Sequence, residues 1–556
     1  MIKKIVNIFV CTLLIITIIT PVTGLNFNQE TSPNQIRNYN SNVLSNDLLI
    51  PTDIINIKIQ NYGPGPGFYD TTEYMIGSVS VGVLLLESDG SGEPSTETWT
   101  VTEENQVTSE IQQALNWWAQ QNTNAGVSFA YDWNYAIPVS IEPINHPSVF
   151  TDSSWEEQWV TEAMATLGYT TGDRFARTRS YINDLRTSKG TDWAYVVFVV
   201  DSSNDLDGCF SDAIPPTFMP CAWAYLGGPF VVMTYDNNGW GINLMNQVMA
   251  HETGHIFYAT DEYDGQTNYS GYLNAADVEG SGCLMDTTNL CLSSGTQLQI
   301  GWRDTDTDGI QDIIDTNPET SLTPYSPDPT SDDTPTYNGS ATVVPYPNNN
   351  PNGPGNDVSI NTITSVQYRV DGGMWTNAAA SDGFFDDHVE DFTFTTSSLS
   401  HGTHTIEAYA KNSAGNIDPT SATDSITIDV QPNKPTINGT NNGKIGSTYT
   451  YTFVSTDPEG DSVSYYIKWG DGAETTWTAL QPSGSPGYTE SHTWSIKGSY
   501  TIEAKTKDNY GAESDWTTLS VTMPKNKAFI FDFPLFNWLF ERFPNTSLII
   551  RHLLGL

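Results

Sequence analysis

The sequence predicts a multidomain protein in which a mixed α+β domain is followed by two all-β sandwiches. Three observations carry this reading. The chain has 556 residues, too many for one ordinary domain, and 38 % of them are apolar, enough to build packed cores. Residues 61–302 mix helical and strand signals, whereas beyond 358 the apolar residues fall in short alternating runs between Gly, Asn and Asp turns. Between them, 320–357 is rich in Pro, Asn, Asp, Ser and Thr with no apolar period, and reads as a linker.

From the N-terminus, Lys3-Lys4, an apolar run from Ile5 to Thr20 and then Pro21-Val22-Thr23-Gly24 give the pattern of a secretory signal peptide over 1–24. A secreted or surface-associated protein is expected. Residues 25–60 are polar and Asn-rich, a leader or linker. The cysteines beyond the signal segment fall into two local pairs, Cys209 with Cys221 and Cys283 with Cys291, expected as bridges in an oxidising compartment. Within 61–302, apolar residues recur at helical spacing over 107–121 and 173–187, and 193–200 and 229–234 read as buried strands. In 358–430 and 431–523, the runs 365–370, 403–410 and 499–505 predict strands of small β-sandwiches. Residues 524–556 form an apolar tail broken by Pro534, Pro544 and several charges, which is not a clean membrane span. The charge balance of 22 basic and 65 acidic residues, net −43 with no basic patch, excludes nucleic acid as a partner.

The chemistry concentrates in His251-Glu252-Thr253-Gly254-His255, inside a segment spaced for a buried helix over 241–258. Residues four apart share a helix face, so both imidazoles aim at one metal ion while Glu252 flanks it. Zinc suits this set: with three protein ligands it keeps a position for water and lowers that water's pKa, and Glu252 is placed to act as general base in hydrolysis. Only eight histidines occur in the chain, so chance is a poor account of the pattern. The third ligand must come from nearby, and Asp261, Glu262 and Glu279 are the candidates.

The run HETGHIFYATDEYD resembles the HExxHxxGxxDEYD signature of the immune inhibitor A-like secreted metalloproteases, a metzincin-related group. The resemblance implies a metzincin-like α+β protease domain with His251, His255 and Asp261 as zinc ligands, Glu262 remaining an alternative third ligand, and Glu252 as general base. One position departs from the signature: Tyr258 stands where it has glycine, a residue that lets the helix end in a left-handed turn. Downstream, Gly282-Cys283-Leu284-Met285-Asp286 resembles the Met-turn beneath metzincin zinc sites, with Met285 as its methionine. Upstream, 224–237 resembles the metzincin edge strand that holds an extended peptide, which would make Gly227 and Gly228 substrate-binding backbone donors.

A second metal signal follows. Asp304, Asp306, Asp308, Asp312 and Asp315 occupy positions 1, 3, 5, 9 and 12 of a loop with Gly309 at 6 and Ile310 at 7, whose carbonyl serves in such loops. This EF-hand-like spacing over 303–319 resembles thrombospondin type 3 calcium loops and predicts structural Ca2+. Farther on, Trp469-Gly470-Asp471-Gly472 with Gly498-Ser499-Tyr500 resembles a PKD domain, and 368–375 resembles an immunoglobulin-like module. Together these imply a secreted zinc endopeptidase, monomeric, acting on protein or peptide substrates, its β modules contacting a cell surface or polysaccharide. The alternative is a surface adhesin or scaffold with a degenerate metalloprotease-like domain.

Overall fold

The molecule is described by a computed structural model over residues 44–45, 48–54, 63–212, 220–236, 241–263, 265–524 and 542. The expected signal peptide, most of the leader and the apolar tail lie outside the described residues.

In the first domain the apolar run of β1 (Ser78–Ser88) takes an interior place in a five-stranded sheet with β2 (Ser128–Val139), β3 (Trp193–Val200), β4 (Ala222–Ala224) and β5 (Phe230–Thr234). The order is β2-β1-β3-β5-β4; β1, β2, β3 and β5 run parallel, and β4 is the antiparallel edge. Alternation along β1 and β3 divides the apolar side chains between the two faces. Val81, Val83, Tyr195 and Val197 pack with helices α1 (Val101–Gln121) and α4 (Met245–Ile256), and Leu84, Leu86, Val196 and Phe198 with α2 (Ser153–Thr166) and α3 (Arg174–Lys189). Helices on both faces of a mostly parallel sheet make this domain α/β, which corrects the α+β expectation. The strands that set the class, β1 and β2, give no clean period-two pattern. Helix α1 begins before the apolar period does, because Thr100 and Glu103 form a reciprocal capping box, Thr100 N donating to Glu103 Oε2 at 2.8 Å.

Two β-sandwiches follow, and much of the chain lies in paired sheets. The first sets Glu319–Leu322, Thr336–Thr342, Val389–Thr395 and Ala379–Ala380 against Thr376–Asn377, Ile363–Val370, Gly402–Asn412 and Ala422–Ile428. Tyr337, Ile363, Val366, Phe392, Ile406 and Ile426 are buried between the sheets. The second sets Thr436–Asn438, Thr448–Val454 and Tyr488–Thr493 against Glu474–Thr475, Ser464–Lys468, Gly498–Lys507 and Thr517–Met523, around Tyr451, Phe453, Trp469, Trp494 and Ile502. Gly470 has φ +80°, and a Cβ there would lie 2.6 Å from the Thr501 carbonyl, so the turn after Trp469 requires glycine.

The linker over 320–357 is corrected. Its first half supplies two strands of the first sandwich, and the rest doubles back onto the α/β domain. Val358 joins the core beside α1 and α4, its N–H donates to Tyr272 Oη at 2.8 Å, and Asn356 Nδ2 donates to Asp70 Oδ1 at 2.8 Å. The composition hid this because those strands bury little beyond Tyr337 and Ala341, and the strap holds on through polar hydrogen bonds.

Candidate metal centre

Helix α4 is held over the sheet by its apolar face, and Trp118 of α1 donates from Nε1 to the Ala250 carbonyl at 3.0 Å. The packing fixes the next turn, where His251 and His255 face the same side. His251 Nδ1 lies 2.8 Å from the Leu284 carbonyl, and His255 Nδ1 lies 2.8 Å from the Ala259 carbonyl. A carbonyl only accepts, so each Nδ1 carries a proton and each ring turns its Nε2 toward the other histidine.

The two Nε2 atoms are 3.1 Å apart, and Asp261 Oδ1 lies 3.2 Å from that of His251 and 3.5 Å from that of His255. Three potential ligand atoms thus face one another, an arrangement that needs a proton or a metal cation among them; burial disfavours a charged His255, but Asp261 outweighs it and raises the ring's pKa. Ligands at 2.0–2.1 Å on a tetrahedral zinc stand about 3.3 Å apart, so the donor set and its spacing fit zinc. Burial alone would raise the Asp261 carboxyl, but the imidazoles override it and hold it well below the usual range. Glu252 is buried beside the triad with Oε1 lacking a hydrogen-bond partner, and burial pushes its pKa up to about 8, a shift that a divalent cation at the triad would reverse.

Asp261 reaches the triad because α4 ends tightly. Ala259 N donates to Gly254 O and Tyr258 N to His255 O, both at 2.9 Å, which is a Schellman motif with Tyr258 in the left-handed position at φ +69°. The conformation that glycine favours is therefore made with tyrosine. Its ring is buried against Gly227, where a Cβ would sit 2.2 Å from Tyr258 Cζ. Beneath the helix, Met285 of the short helix α5 (Leu284–Thr287) is buried, and a Cβ on Gly254 would lie 2.7 Å from its sulfur. The sulfur thus sits between the two histidines on the sequence, under their helix.

Other candidates fall elsewhere. Glu262 points away from the triad: its carboxylate accepts from Ser281 Oγ at 2.5 Å, from Ser293 Oγ and from Thr296 Oγ1 at 3.0 Å, and so fixes the chain after the helix. Glu279 accepts from Gly265 N at 2.8 Å and is absent from the metal-competent group of His251, His255 and Asp261. The substrate-donor role of Gly227 and Gly228 is corrected, because Gly227 N already donates to His255 O at 3.0 Å and Gly228 N to Tyr225 O at 2.9 Å. Residues 222–224, the edge strand β4 itself, carry the position that the glycines were expected to hold.

Cys283 and Cys291 form a disulfide. Cys209 and Cys221 do not bond to each other as expected; their sulfurs are 3.2 Å apart in the buried interior, and Cys209 is a free thiol. The calcium loop is assembled in part. Asp304, Asp306 and Asp308 come together, but Asp312 pairs with Arg303 and accepts from Thr305 N at 2.8 Å, while Asp315 accepts from Asn416 Nδ2 at 2.7 Å. Ile310 N donates to Asp308 Oδ1 at 2.8 Å. The expected ligand set from 304 to 315 is thus corrected to a three-carboxylate cluster, because the arginine and the following sandwich claim its last two members.

No protein-family model matches the chain, and no curated protein matches it. Among solved structures, the PKD domain of an M14-like peptidase from a Thermoplasmatales archaeon is 52 % identical over 17 % of this chain and 99 % of that one, with a TM-score of 0.17. Fibronectin(III)-like modules of Clostridium thermocellum CbhA are 16 % identical over 37 % of this chain and 94 % of theirs, at 0.20. The PKD domain of the human VPS10 domain-containing receptor SorCS2 is 16 % identical over 18 % of this chain and 79 % of that chain, at 0.14.

Proposed function

We propose, on the premise that the chain carries a PKD/immunoglobulin-like β domain beside its HExxH helix, that it is a secreted zinc-dependent endopeptidase of metzincin type. The convergence of two imidazole nitrogens and a carboxylate oxygen beside an orphaned buried carboxylate carries the reading. His251, His255 and Asp261 would hold the ion, and zinc held there supplies a Lewis acid and an acidified water.

The chain's own groups do the rest. Leu284 O and Ala259 O orient the imidazoles through Nδ1, so that both Nε2 atoms face the position the ion would take. Glu252 Oε1, with no partner of its own, is the site that takes a proton from the attacking water and returns it to the leaving amine. The antiparallel edge strand β4 offers backbone groups for an extended peptide, which is how a sheet edge binds substrate. One solved PKD domain similar to this chain comes from an M14-like peptidase, and β modules of this kind suit the role of holding a protease near its substrate.

The test is cleavage of a quenched-fluorescent peptide library by the secreted form in zinc, beside Glu252→Gln. Hydrolysis is expected to fall by roughly 10²–10⁴-fold in the variant with zinc still bound. Unchanged hydrolysis in Glu252→Gln would refute the mechanism, and zinc binding without cleavage by either form would favour the scaffold alternative.

A further inference from the structure

The turn that brings Asp261 to the triad is also touched by the strap. The hydroxyl end of the Tyr258 ring meets two glycines, Gly227 and Gly353; a Cβ on Gly353 would lie 2.8 Å from Tyr258 Oη and 2.9 Å from Asn350 Nδ2. The φ of Gly353 lies outside the left-handed region, so glycine is needed there for room alone. Gly353 belongs to residues 346–358, which run along the chain that follows the metal-competent residues. Tyr272 Oη donates to Tyr346 O at 2.8 Å, Asn349 N to Tyr272 O at 2.9 Å, and Asn352 Nδ2 to Tyr269 O and Ser270 Oγ, both at 3.2 Å. Strands of the first sandwich, Thr336–Thr342 and Ile363–Val370, flank the strap at its two ends.

From the ring the path to the triad is short. Tyr258 N donates to His255 O at 2.9 Å, Gly227 N donates to the same carbonyl at 3.0 Å, and the next residue, Ala259, takes the His255 Nδ1 proton on its own carbonyl. The ring is buried and cannot swing out to solvent, and a close-packed interior passes on a displacement instead of absorbing it. We propose that the first β module positions the zinc centre through this contact: Gly353 seats the Tyr258 ring, and the ring holds the turn that sets His255 and Asp261. Gly353 is a positioning residue, acting through Tyr258. The tyrosine that stands where the signature has glycine makes the connection, because a glycine at 258 forms the same turn with nothing for the strap to press on. The coupling is reciprocal, so zinc in turn steadies the strap. The inference rests on the reading of His251, His255 and Asp261 as a zinc site.

The test is the zinc affinity of the full chain, by competition with a chelating dye, in Gly353→Val, Tyr258→Gly and the double variant. Gly353→Val is expected to bind zinc roughly 10-fold more weakly, since disturbing an outer partner of a metal ligand costs 10–100-fold. The double variant should bind as tightly as Tyr258→Gly, because the ring that transmits the clash is gone. An equal loss with and without the tyrosine would mark a general structural defect and overturn the proposal, as would unchanged affinity in Gly353→Val. Two further readings go beyond folding. The visible spectrum of the Co2+-loaded chain should change in Gly353→Val and return in the double variant; a spectrum that stays altered there refutes the path through Tyr258. Zinc should slow backbone hydrogen exchange over 346–358 in the wild-type chain and do so less in Tyr258→Gly, and a strap indifferent to zinc in both would refute the coupling. If Gly353→Val fails to fold, Gly353→Ala, which adds only the Cβ, should show a smaller loss that Tyr258→Gly again removes. Failure of the wild-type chain to bind zinc would overturn the metal reading itself, a result distinct from equal affinity in every chain, which overturns the coupling alone.

Discussion

Tyr258 makes the sharpest residue-scale case. A left-handed tyrosine costs about 1–2 kcal/mol relative to glycine, whereas burying its ring contributes about 2–3 kcal/mol. Burial wins, which explains how the turn toward Asp261 survives without glycine. Tyr258→Gly should therefore relax the backbone yet lower stability by about 1 kcal/mol in denaturant unfolding, with zinc affinity retained; a more stable variant would show that the ring contributes nothing. Glu142 gives a pH signature. Burial first, and the nearby charges of Glu97 and Asp201, raise its pKa to about 7 although the N–H groups of Thr96 and Glu97 donate to it. A raised folded pKa means that its contribution is full below about 4.5 and is lost as pH rises through about 7. Glu142→Gln should flatten that decline, by about 3 kcal/mol, in melting curves from pH 4 to 8; an unchanged slope would exclude Glu142 as its source. The triad histidines and Glu252 were legible from sequence because their spacing encodes one helix face. The fate of Glu262 was not, since its three hydroxyl partners, Ser281, Ser293 and Thr296, lie far along the chain.

At the scale of elements, α4 and α5 act as a pair. The disulfide Cys283–Cys291 closes the loop that carries Leu284, whose carbonyl orients the His251 ring. Cys283→Ser/Cys291→Ser is expected to weaken zinc binding by roughly 10-fold, measured by competition with a chelating dye, because losing such an outer partner typically costs 10–100-fold. Unaltered affinity would mean that packing of Met285 beneath Gly254 holds α5 unaided. The sequence disclosed the elements with strong periods: the helix expected over 173–187 is observed as Arg174–Lys189, and the strand over 193–200 is observed as Trp193–Val200. It did not disclose Glu319–Leu322 and Thr336–Thr342, whose exposed residues are Glu319, Ser321, Thr336 and Asn338 and whose register comes from pairing with each other and with Val389–Thr395. Local composition reads such strands as linker because what fixes them is partner backbone, not side-chain pattern.

For the whole molecule, the path of the chain matters more than its list of modules. It leaves the α/β domain, builds two strands of the first sandwich, returns to place Val358 in the α/β core, and leaves again at Ile363. A chain ending at 302 is therefore expected to melt lower than one ending at 430 or to aggregate, since it lacks Val358 and the partners of Asp70 and Tyr272; equal melting would show that the strap adds no stability. That doubled-back path also bears on how such a protein can change over generations. Recombination that joins genes at module borders can add or drop the final sandwich with one crossover near residue 430. The α/β domain and its neighbour must be inherited together, because any crossover between them would sever a core that both segments of chain have to complete.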